Sequence, residues 1–288
     1  MKTTTLGYPR IGNQRQLKKA CEGYWSGNVN QDELRIIAKT IRKENWELQK
    51  NSGIDLIPSN DFSFYDQMLD TCLTFGCIPK RYQSIKNKNY LDLYFAMARG
   101  IQRDGYDATA MEMTKWFDTN YHYIVPEFEK DQSFEFFSTK IIEEYKEALD
   151  AGIQTKPVLI GPVTFLLLGK EKESGFDKID LIEKLLPVYN EVISKLIELG
   201  VEYIQFDEPC LSLNLTEKEK EALRYTYEKI NRSFPSLKIF LANYFDCFGE
   251  NLETVLQLPV HTLHLDLVRC SSELDKILDS KFLNPTTN

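Results

Sequence analysis

The chain has 288 residues, of which 42% are hydrophobic and 12% aromatic, enough for a sizeable core in one large α/β domain. Its 43 acidic and 35 basic residues give a formal net charge of −8, which disfavours nucleic acid or an anionic membrane surface as the main partner. The N-terminal sequence lacks the pattern of a signal peptide, and the longest apolar run, residues 158–169, is too short to cross a bilayer. We therefore expect a cytoplasmic protein whose six scattered cysteines are reduced and mostly buried.

The opening segment predicts a short strand over residues 3–6, a turn rich in Gly and Pro, and then an amphipathic helix. Arg15, Lys18 and Lys19 are three and four residues apart near the start of that helix, so they are neighbours on its surface. Cations favour the C-terminal end of a helix dipole, so a basic cluster at the N-terminal end, beside free N–H groups, indicates an anion site. A solvated basic face is the alternative, and the segment by itself leaves both open.

Strand-like and helical patterns alternate along the rest of the chain. Strands are predicted over residues 54–59, 109–115, 157–161, 201–207, 238–242 and 262–266, and helices over 31–51, 89–102, 139–151, 180–199, 216–233, 249–258 and 271–278. This alternation predicts a parallel sheet, and about seven such units indicate a TIM-type (β/α)8 barrel, which needs eight strands. The eighth strand would begin near residue 281, so the single domain, residues 1–288, is expected to stop before or within it. A doubly wound open sheet is the competing architecture, but its Gly-rich phosphate-binding motif is missing from the sequence.

Barrels of this kind carry their chemistry at the C-terminal ends of the strands. Lys115 closes the predicted strand 109–115, and a lysine in that position needs an anionic partner or water. Asp61 and Ser63 follow another predicted strand, and Ser63 with Asp66 has the spacing of a capping box. We therefore expect Asp61 and Ser63 to cap a helix and Lys115 to be a candidate for binding an anion.

The remaining polar strand ends do not assemble a known catalytic or metal motif. Asp207 and Glu208 are adjacent on a predicted strand, so they point to opposite faces and do not form one carboxylate pair. His261 and His264 are three residues apart on another strand and also face opposite sides. No Cys/His cluster has zinc spacing, and the Gly-x-Ser-x-Gly motif of serine hydrolases is missing from the sequence. We predict no metal site and no catalytic residue in this chain.

Several long motifs match one family in sequence order. They are LGYPRIG with RQLKK (residues 6–12 and 15–19), IPSNDFSFYD (57–66), EMTKWFDTNYHY (112–123), KPVLIGPVTF (156–165), QFDEP (205–209) and HLDLVR (264–269). Through roughly residues 4–279 the chain resembles the N-terminal domain of cobalamin-independent methionine synthase, the 5-methyltetrahydropteroyltriglutamate–homocysteine methyltransferase family.

The resemblance implies one half of a two-barrel methyltransferase of methionine biosynthesis. In such proteins a C-terminal barrel holds a zinc ion that binds homocysteine, while the N-terminal barrel helps to hold the polyglutamate tail of the folate. The tail-binding roles fall on Arg15, Gln16, Leu17 and Lys18, with a further folate contact from Lys115 and with Asn120 as an additional candidate. Position 16 is commonly Glu in the family and is Gln here, which makes the segment more favourable to carboxylates.

Three functional interpretations follow. In the first, the chain is the folate-binding N-terminal part of a zinc-dependent methyltransferase; the zinc-bearing C-terminal barrel is absent from it, and it is expected to be inactive alone. In the second, it is a free-standing module that binds polyglutamyl folate without catalysis. In the third, it is an independent barrel hydrolase that uses Asp207, Glu208 and Asp266 as acid and base.

Overall fold

The structure is a computed structural model that describes residues 2–86, 89–103 and 105–280. Its helices are α1 (Gln16–Trp25), α2 (Gln31–Asn51), α3 (Gln67–Thr74), α4 (Gln83–Lys86), α5 (Tyr90–Arg99), α6 (Lys140–Asp150), α7 (Pro162–Leu167), α8 (Ile182–Glu198), α9 (Glu217–Ser233), α10 (Leu252–Leu256) and α11 (Glu273–Leu278). Its strands are β1 (Ile57–Ser59), β2 (Ile101–Arg103), β3 (Tyr106–Ala108), β4 (Met113–Lys115), β5 (His122–Ile124), β6 (Glu127–Phe128), β7 (Thr155–Ile160), β8 (Lys170–Glu171), β9 (Tyr203–Asp207), β10 (Lys238–Ala242) and β11 (Thr262–His264).

The main sheet is parallel and has the strand order β1-β7-β9-β10-β11. All six residues of β7 are buried, as is typical of a strand covered on both faces of a parallel sheet. The predicted strand over residues 3–6 is reduced to a single parallel bridge between Thr4 and Leu56, directly before β1. The predicted α/β fold with a parallel sheet is therefore confirmed.

The barrel prediction is only partly met. Within the described ranges the sheet is not closed, and the eighth strand predicted from residue 281 lies outside them. The segment 109–115, predicted as a parallel barrel strand, is placed differently: its last three residues form β4, which pairs antiparallel with β5. β1 pairs directly with β7, so this segment has no position between them. The physical reason is visible in its burial, since all three residues of β4 are exposed and a strand within the sheet is buried on its faces.

The long helices agree well with the sequence pattern. α2 spans the predicted residues 31–51, and α9 begins one residue after its predicted start. Each begins with a capping box, formed by Asn30 with Glu33 and by Thr216 with Glu219. These local hydrogen bonds satisfy N–H groups that have no partner inside the helix, so they fix where the two helices begin.

The start of α3 differs from the prediction. Asp66, and not Ser63, is the N-cap, and its carboxylate accepts two backbone N–H groups of the first turn at 2.8 and 3.0 Å. Asp61 does not cap a helix; its carboxylate accepts the backbone N–H of Tyr8 at 2.7 Å. Asp61 therefore joins the end of β1 to the opening segment, a contact between residues 53 positions apart that local sequence rules do not report.

The expectation of six reduced cysteines is wrong for one pair. Cys247 and Cys270 form a disulfide, with their Cα atoms 5.3 Å apart. They lie in the segments that follow the neighbouring strands β10 and β11, so the strand pairing brings them together. The other four cysteines are buried thiols, as expected. Among the described residues, no helix is both long and apolar enough to span a membrane.

Candidate ligand site at the carboxyl end of the sheet

The start of α1 carries an excess of positive charge. Arg15 and Lys18 are exposed, and the first turn contains no acidic residue. Lys18 makes one ion pair, with Glu22 at 3.6 Å, in which both side chains are about half exposed, so solvent screens it strongly. Within the described ranges the guanidinium of Arg15 and the ammonium of Lys19 have no side-chain partner. The predicted basic cluster is therefore present on the surface, with charge that is available to an anion.

The backbone at this point is also arranged for an anion. Arg15 is the N-cap of α1, with φ 59° and ψ 36°, and its side chain makes no capping hydrogen bond. A non-glycine residue in this left-handed region costs of order 1–2 kcal/mol. In the described part of the chain nothing accepts the backbone N–H groups of Gln16 and Lys18, whereas that of Leu17 donates to Ile11 at 3.2 Å. Free N–H groups beside basic side chains favour a carboxylate or phosphate.

The predicted tail-binding residues do not all play the same part. Leu17 is only 2% exposed and packs in the core, so it anchors the segment and offers no side chain to a ligand. The Gln16 side-chain oxygen accepts the backbone N–H of Gln14 at 2.9 Å and so shapes the turn. Arg15 and Lys18 remain as the side chains that can reach a ligand. Asn120 is exposed in the turn between β4 and β5, one position from Tyr121.

Lys115 lies on the same side of the molecule as the opening turn. The Arg10 guanidinium donates to the Tyr65 carbonyl oxygen, and the Tyr65 hydroxyl contacts the Met113 sulfur at 3.8 Å. Met113 and Lys115 are two residues apart on β4, so their side chains share one face of that strand. These contacts link the opening turn to the face of β4 that carries Lys115. The Lys115 side chain is exposed.

A cavity of about 460 Å³ opens at the carboxyl ends of the parallel strands. Its walls come mainly from the opening turn, the segment after β1, the loop between β4 and β5, the end of β9 and the segment after β10. The lining residues are Leu6, Gly7, Tyr8, Pro9, Arg10, Asp61, Asp66, Gln67, Trp116, Thr119, Tyr121, His122, Tyr123, Val158, Asp207, Tyr244 and Phe245. Ligand sites in parallel α/β proteins lie at this end of the sheet, because the loops that can vary in sequence converge there.

Asp207 is the buried carboxylate of this cavity. One of its oxygens accepts the side-chain amide of Gln205 at 2.7 Å, and the other accepts the hydroxyl of Tyr244 at 3.0 Å. Burial raises the pKa of Asp207 to about 6, although these hydrogen bonds and the charge of Lys156 act in the opposite direction.

Lys156 ties this cluster to the N-terminal segment. It is 1% exposed; its ammonium donates to the side-chain oxygen of Gln205 and to the carbonyl of Thr5 at 3.2 Å. Burial lowers the pKa of Lys156 to about 8, and the nearby carboxylates of Asp207 and Asp61 oppose that shift. The cluster therefore positions the opening turn on the sheet, and its polar atoms are already hydrogen-bonded.

Glu208 and Asp266 serve the fold and do not line the cavity. Glu208 is fully buried, and its oxygens accept the backbone N–H groups of Val163 and Thr164 at 3.2 and 2.7 Å, at the start of α7. Asp266 accepts three backbone N–H groups, including that of Phe245 at 2.9 Å. Asp207 and Glu208 thus face different surroundings, as expected for adjacent strand residues. The carboxylates of the hydrolase interpretation are not brought together.

Backbone strain concentrates around this end of the sheet. In the described ranges, four non-glycine residues have positive φ: Arg15, Asn60, Phe117 and Phe245. Asn60 follows β1, Phe117 follows β4 and Phe245 follows β10, so three of the four lie where strands end. The Phe117 and Phe245 rings are in contact, with centroids 5.2 Å apart. Strained residues of this kind cluster at ligand sites, and one of the four, Phe245, lines the cavity.

Sequence reasoning identified the basic helix start but assigned no role to most of the cavity wall. Tyr8 and Arg10 lie within the LGYPRIG motif, and Trp116 directly follows Lys115. Tyr244 and Phe245 lie two and three residues after the end of β10, so the rule that sites lie at strand ends could have selected them. Their convergence depends on contacts between distant parts of the chain, which no local pattern reports.

The fold and cavity define an α/β protein with a ligand-sized site at the carboxyl end of a parallel sheet. A family model described as "Cobalamin-independent synthase, N-terminal domain" matches residues 2–287. The chain belongs to this family.

Curated relatives agree with this assignment. The chain is 64% identical to a 5-methyltetrahydropteroyltriglutamate–homocysteine methyltransferase from Flavobacterium johnsoniae, over 100% of this chain and 37% of that protein. It is 57% identical to the protein of the same name from Cytophaga hutchinsonii, over 98% of this chain and 37% of that protein. The chain therefore spans about 37% of the length of these curated relatives.

Solved structures resemble the fold at low identity. One is a candidate vitamin-B12-independent methionine synthase from Listeria monocytogenes, with a TM-score of 0.57 and 16% identity over 91% of this chain and 70% of that chain. Another is the B12-independent methionine synthase from Shewanella sp. W3-18-1 in complex with selenomethionine, with a TM-score of 0.50 and 16% identity over 75% of this chain and 53% of that chain. At this identity the likeness supports the fold alone.

Proposed function

We propose that this chain is the N-terminal part of a 5-methyltetrahydropteroyltriglutamate–homocysteine methyltransferase and that it holds the polyglutamate tail of the folate. The observation that carries the proposal is the start of α1, where exposed Arg15 and Lys18 lie beside free backbone N–H groups. The relatives whose names specify a triglutamate substrate are 64% and 57% identical to the chain, which supports the same substrate class here.

The physics of the segment suits a string of carboxylates. Arg and Lys donate charge-assisted hydrogen bonds to carboxylate oxygens, and a helix N-terminus adds a favourable dipole. Lys115 adds a further exposed cation, on a strand face that contacts Tyr65 and through it the opening turn. A tail held here contributes binding and orientation of the substrate and leaves the methyl transfer to groups elsewhere.

We assign the zinc ion and homocysteine to the remaining part of the relatives' length. Zinc in such a role needs thiolate, imidazole or carboxylate ligands that converge on one point. In the part of the chain that the structure describes, Cys247, Cys270 and Glu273 are the group with suitable spacing, and the two cysteines are bonded to each other. A disulfide offers no thiolate, so these residues as they stand do not fit the ion, and the chain alone is expected not to form methionine.

The fold proposal follows the same line. We propose that the parallel sheet belongs to a TIM-type barrel, supported by the bridge of Thr4 beside β1 at one edge and by β11 at the other. The segment that forms β4 and β5 would stand outside the barrel wall as a hairpin over its carboxyl end.

Calorimetric titration of the full-length protein tests the tail assignment. The ligands are 5-methyltetrahydrofolate with one and with three glutamates, and the variant is Arg15→Ala with Lys18→Ala. Two exposed charge pairs contribute about 0.2–1 kcal/mol each, so the variant should bind the triglutamyl form roughly two- to thirtyfold more weakly and lose most of its preference over the monoglutamyl form. Lys184→Ala, an exposed lysine on α8, is the matched control.

Two results would contradict the assignment: equal affinity of the unmodified protein for the two folates, or unchanged triglutamate affinity in the double variant. A methionine-formation assay on the same preparations separates the enzyme from the binding module. Tail-dependent binding without methyl transfer by the full-length protein would leave a binding module, whereas both activities together support the methyltransferase.

A further inference from the structure

The disulfide between Cys247 and Cys270 lies at the rim of the cavity. Its two cysteines are in the segments that follow β10 and β11, and the cavity-lining Phe245 is two residues from Cys247. Arg269, next to Cys270, donates to the Phe245 carbonyl at 3.1 Å and to Asp118 in the loop between β4 and β5 at 2.6 Å. The disulfide therefore holds in place the segment around Arg269, which links the loop between β4 and β5 to the segment after β10.

A buried carboxylate, one of whose oxygens has no hydrogen-bond partner among the described residues, lies near the two cysteines. Glu273 is 2% exposed, and one of its oxygens accepts the backbone N–H of Phe248 at 2.6 Å. Its other oxygen is buried and has no hydrogen-bond partner in the described ranges. The sulfur atoms of Cys247 and Cys270 and a carboxylate oxygen of Glu273 all lie within 4.8 Å of one another. A buried acceptor without a donor is costly, so an oxygen left in this state needs an explanation.

Reduction of the disulfide would place two hydrogen-bond donors near the Glu273 carboxyl group. Two thiols would appear beside Glu273, and an S–H group is a hydrogen-bond donor, weak but sufficient for a nearby carboxylate. The carboxyl group can also take the proton that a thiol must lose before it attacks a disulfide. Burial raises the pKa of Glu273, which makes it a better proton acceptor than an exposed carboxylate.

We propose that Cys247, Cys270 and Glu273 form a reversible thiol–disulfide site, in which Glu273 accepts the proton of the resolving cysteine. Cys247 is partly exposed and Cys270 is 4% exposed, so an outside reagent reaches the Cys247 sulfur first.

In the oxidising direction the co-reactant is a low-molecular-weight disulfide. The Cys247 thiolate attacks one of its sulfurs and forms a mixed disulfide, which releases one small thiolate. Cys270 passes its proton to Glu273, and its thiolate attacks the Cys247 sulfur. The protein disulfide forms, the second small thiolate leaves, and each small thiolate takes up a proton released by a cysteine. Two protein thiols and one small disulfide thus become one protein disulfide and two small thiols.

The other four cysteines differ from Cys247 and Cys270 in being buried free thiols. Cys21, Cys72, Cys77 and Cys210 are all buried. Burial raises the pKa of Cys21 to about 12 and raises the pKa of Cys210 well above its usual value. A buried thiol is out of reach of a reagent in solution, so these four are expected to be inert in the folded protein. Two thiols and a carboxylate are also ligands for a thiophilic cation such as zinc, but the bonded sulfurs favour the redox interpretation.

The test is a redox titration of the full-length protein in stepped mixtures of reduced and oxidised glutathione, followed by acid quenching, alkylation and mass spectrometry. We expect Cys247 and Cys270 to convert together from thiols to one disulfide, while the other four cysteines stay thiols throughout. The proposal is wrong if the pair stays reduced in the most oxidising buffer or accumulates only as glutathione adducts. It is equally wrong if the reduced protein carries one equivalent of zinc that Cys247→Ser removes.

Glu273→Gln tests the proton acceptor separately. The amide keeps an oxygen for the Phe248 N–H group but cannot take up a proton. Closure of the intramolecular disulfide should slow by at least about tenfold, with the glutathione adduct of Cys247 accumulating in the meantime. Glu250→Gln, an exposed residue of the same segment, should close at the normal rate. Equal closure rates in the two variants would exclude Glu273 from the reaction.

Discussion

Asp207→Asn addresses the buried carboxylate that supports the cavity. Burial raises the pKa of Asp207 from 3.8 to about 6, and a shift of about 2 units at about 1.4 kcal/mol each corresponds to about 3 kcal/mol. Because the pKa in the folded protein is the higher one, the folded state binds the proton more tightly. This contribution to stability is complete below about pH 4 and is lost as the pH rises through about 6. Asp207 is 6% exposed, so solvent screening reduces the figure little.

The variant keeps the shape of the site, since an amide at position 207 can still accept from Gln205 and can donate to the Tyr244 oxygen. Urea unfolding of the chain between pH 4 and pH 7.5 should show the unmodified protein losing about 3 kcal/mol more than the variant. Asp66, whose pKa burial raises to about 7, is present in both proteins and cancels in the difference. Asp107→Asn, at an exposed position, serves as the control. If the stability curves of the unmodified protein and Asp207→Asn run parallel across this range, the reasoning is refuted.

Three further substitutions probe the fold and the helix start, each by chemical denaturation. Arg15→Gly should stabilise the chain by about 0.5–1 kcal/mol, because glycine adopts φ 59° without strain. It should also weaken triglutamate binding. A lower stability would contradict backbone strain at Arg15. Gly161→Ala should destabilise by about 1–3 kcal/mol, since a Cβ there overlaps the Glu208 carboxyl group; a neutral result would contradict that packing. Arg42→Ala should cost about 1.5–3 kcal/mol, because it removes the charged hydrogen-bond partner of Glu147 and one of the two cations beside buried Glu144, which keeps Lys140; a loss below about 0.5 kcal/mol would mean that these pairs are solvated.

The sequence by itself determined the elements whose signals are local. The bounds of α2, α9 and β10 follow from the pattern of apolar residues to within one residue, because that pattern depends on residues within one or two helical turns or a single strand. The alternation of these elements was also sufficient to predict a parallel α/β sheet, since parallel strands need crossover helices. The ordered family motifs identified the basic helix start, and the structure leaves Arg15 and Lys18 exposed there.

Only the tertiary structure decided how distant segments meet. The pairing of β1 with β7 moved the segment 109–115 out of the sheet and into a hairpin, although its residues look like a strand in either place. The bond between Cys247 and Cys270 depends on the neighbouring positions of β10 and β11, and spacing along the chain does not report that. The physical reason is the same in both cases. Strand pairing and loop contacts join residues far apart in sequence, so their energies are set by the assembled fold and not by any short stretch of residues.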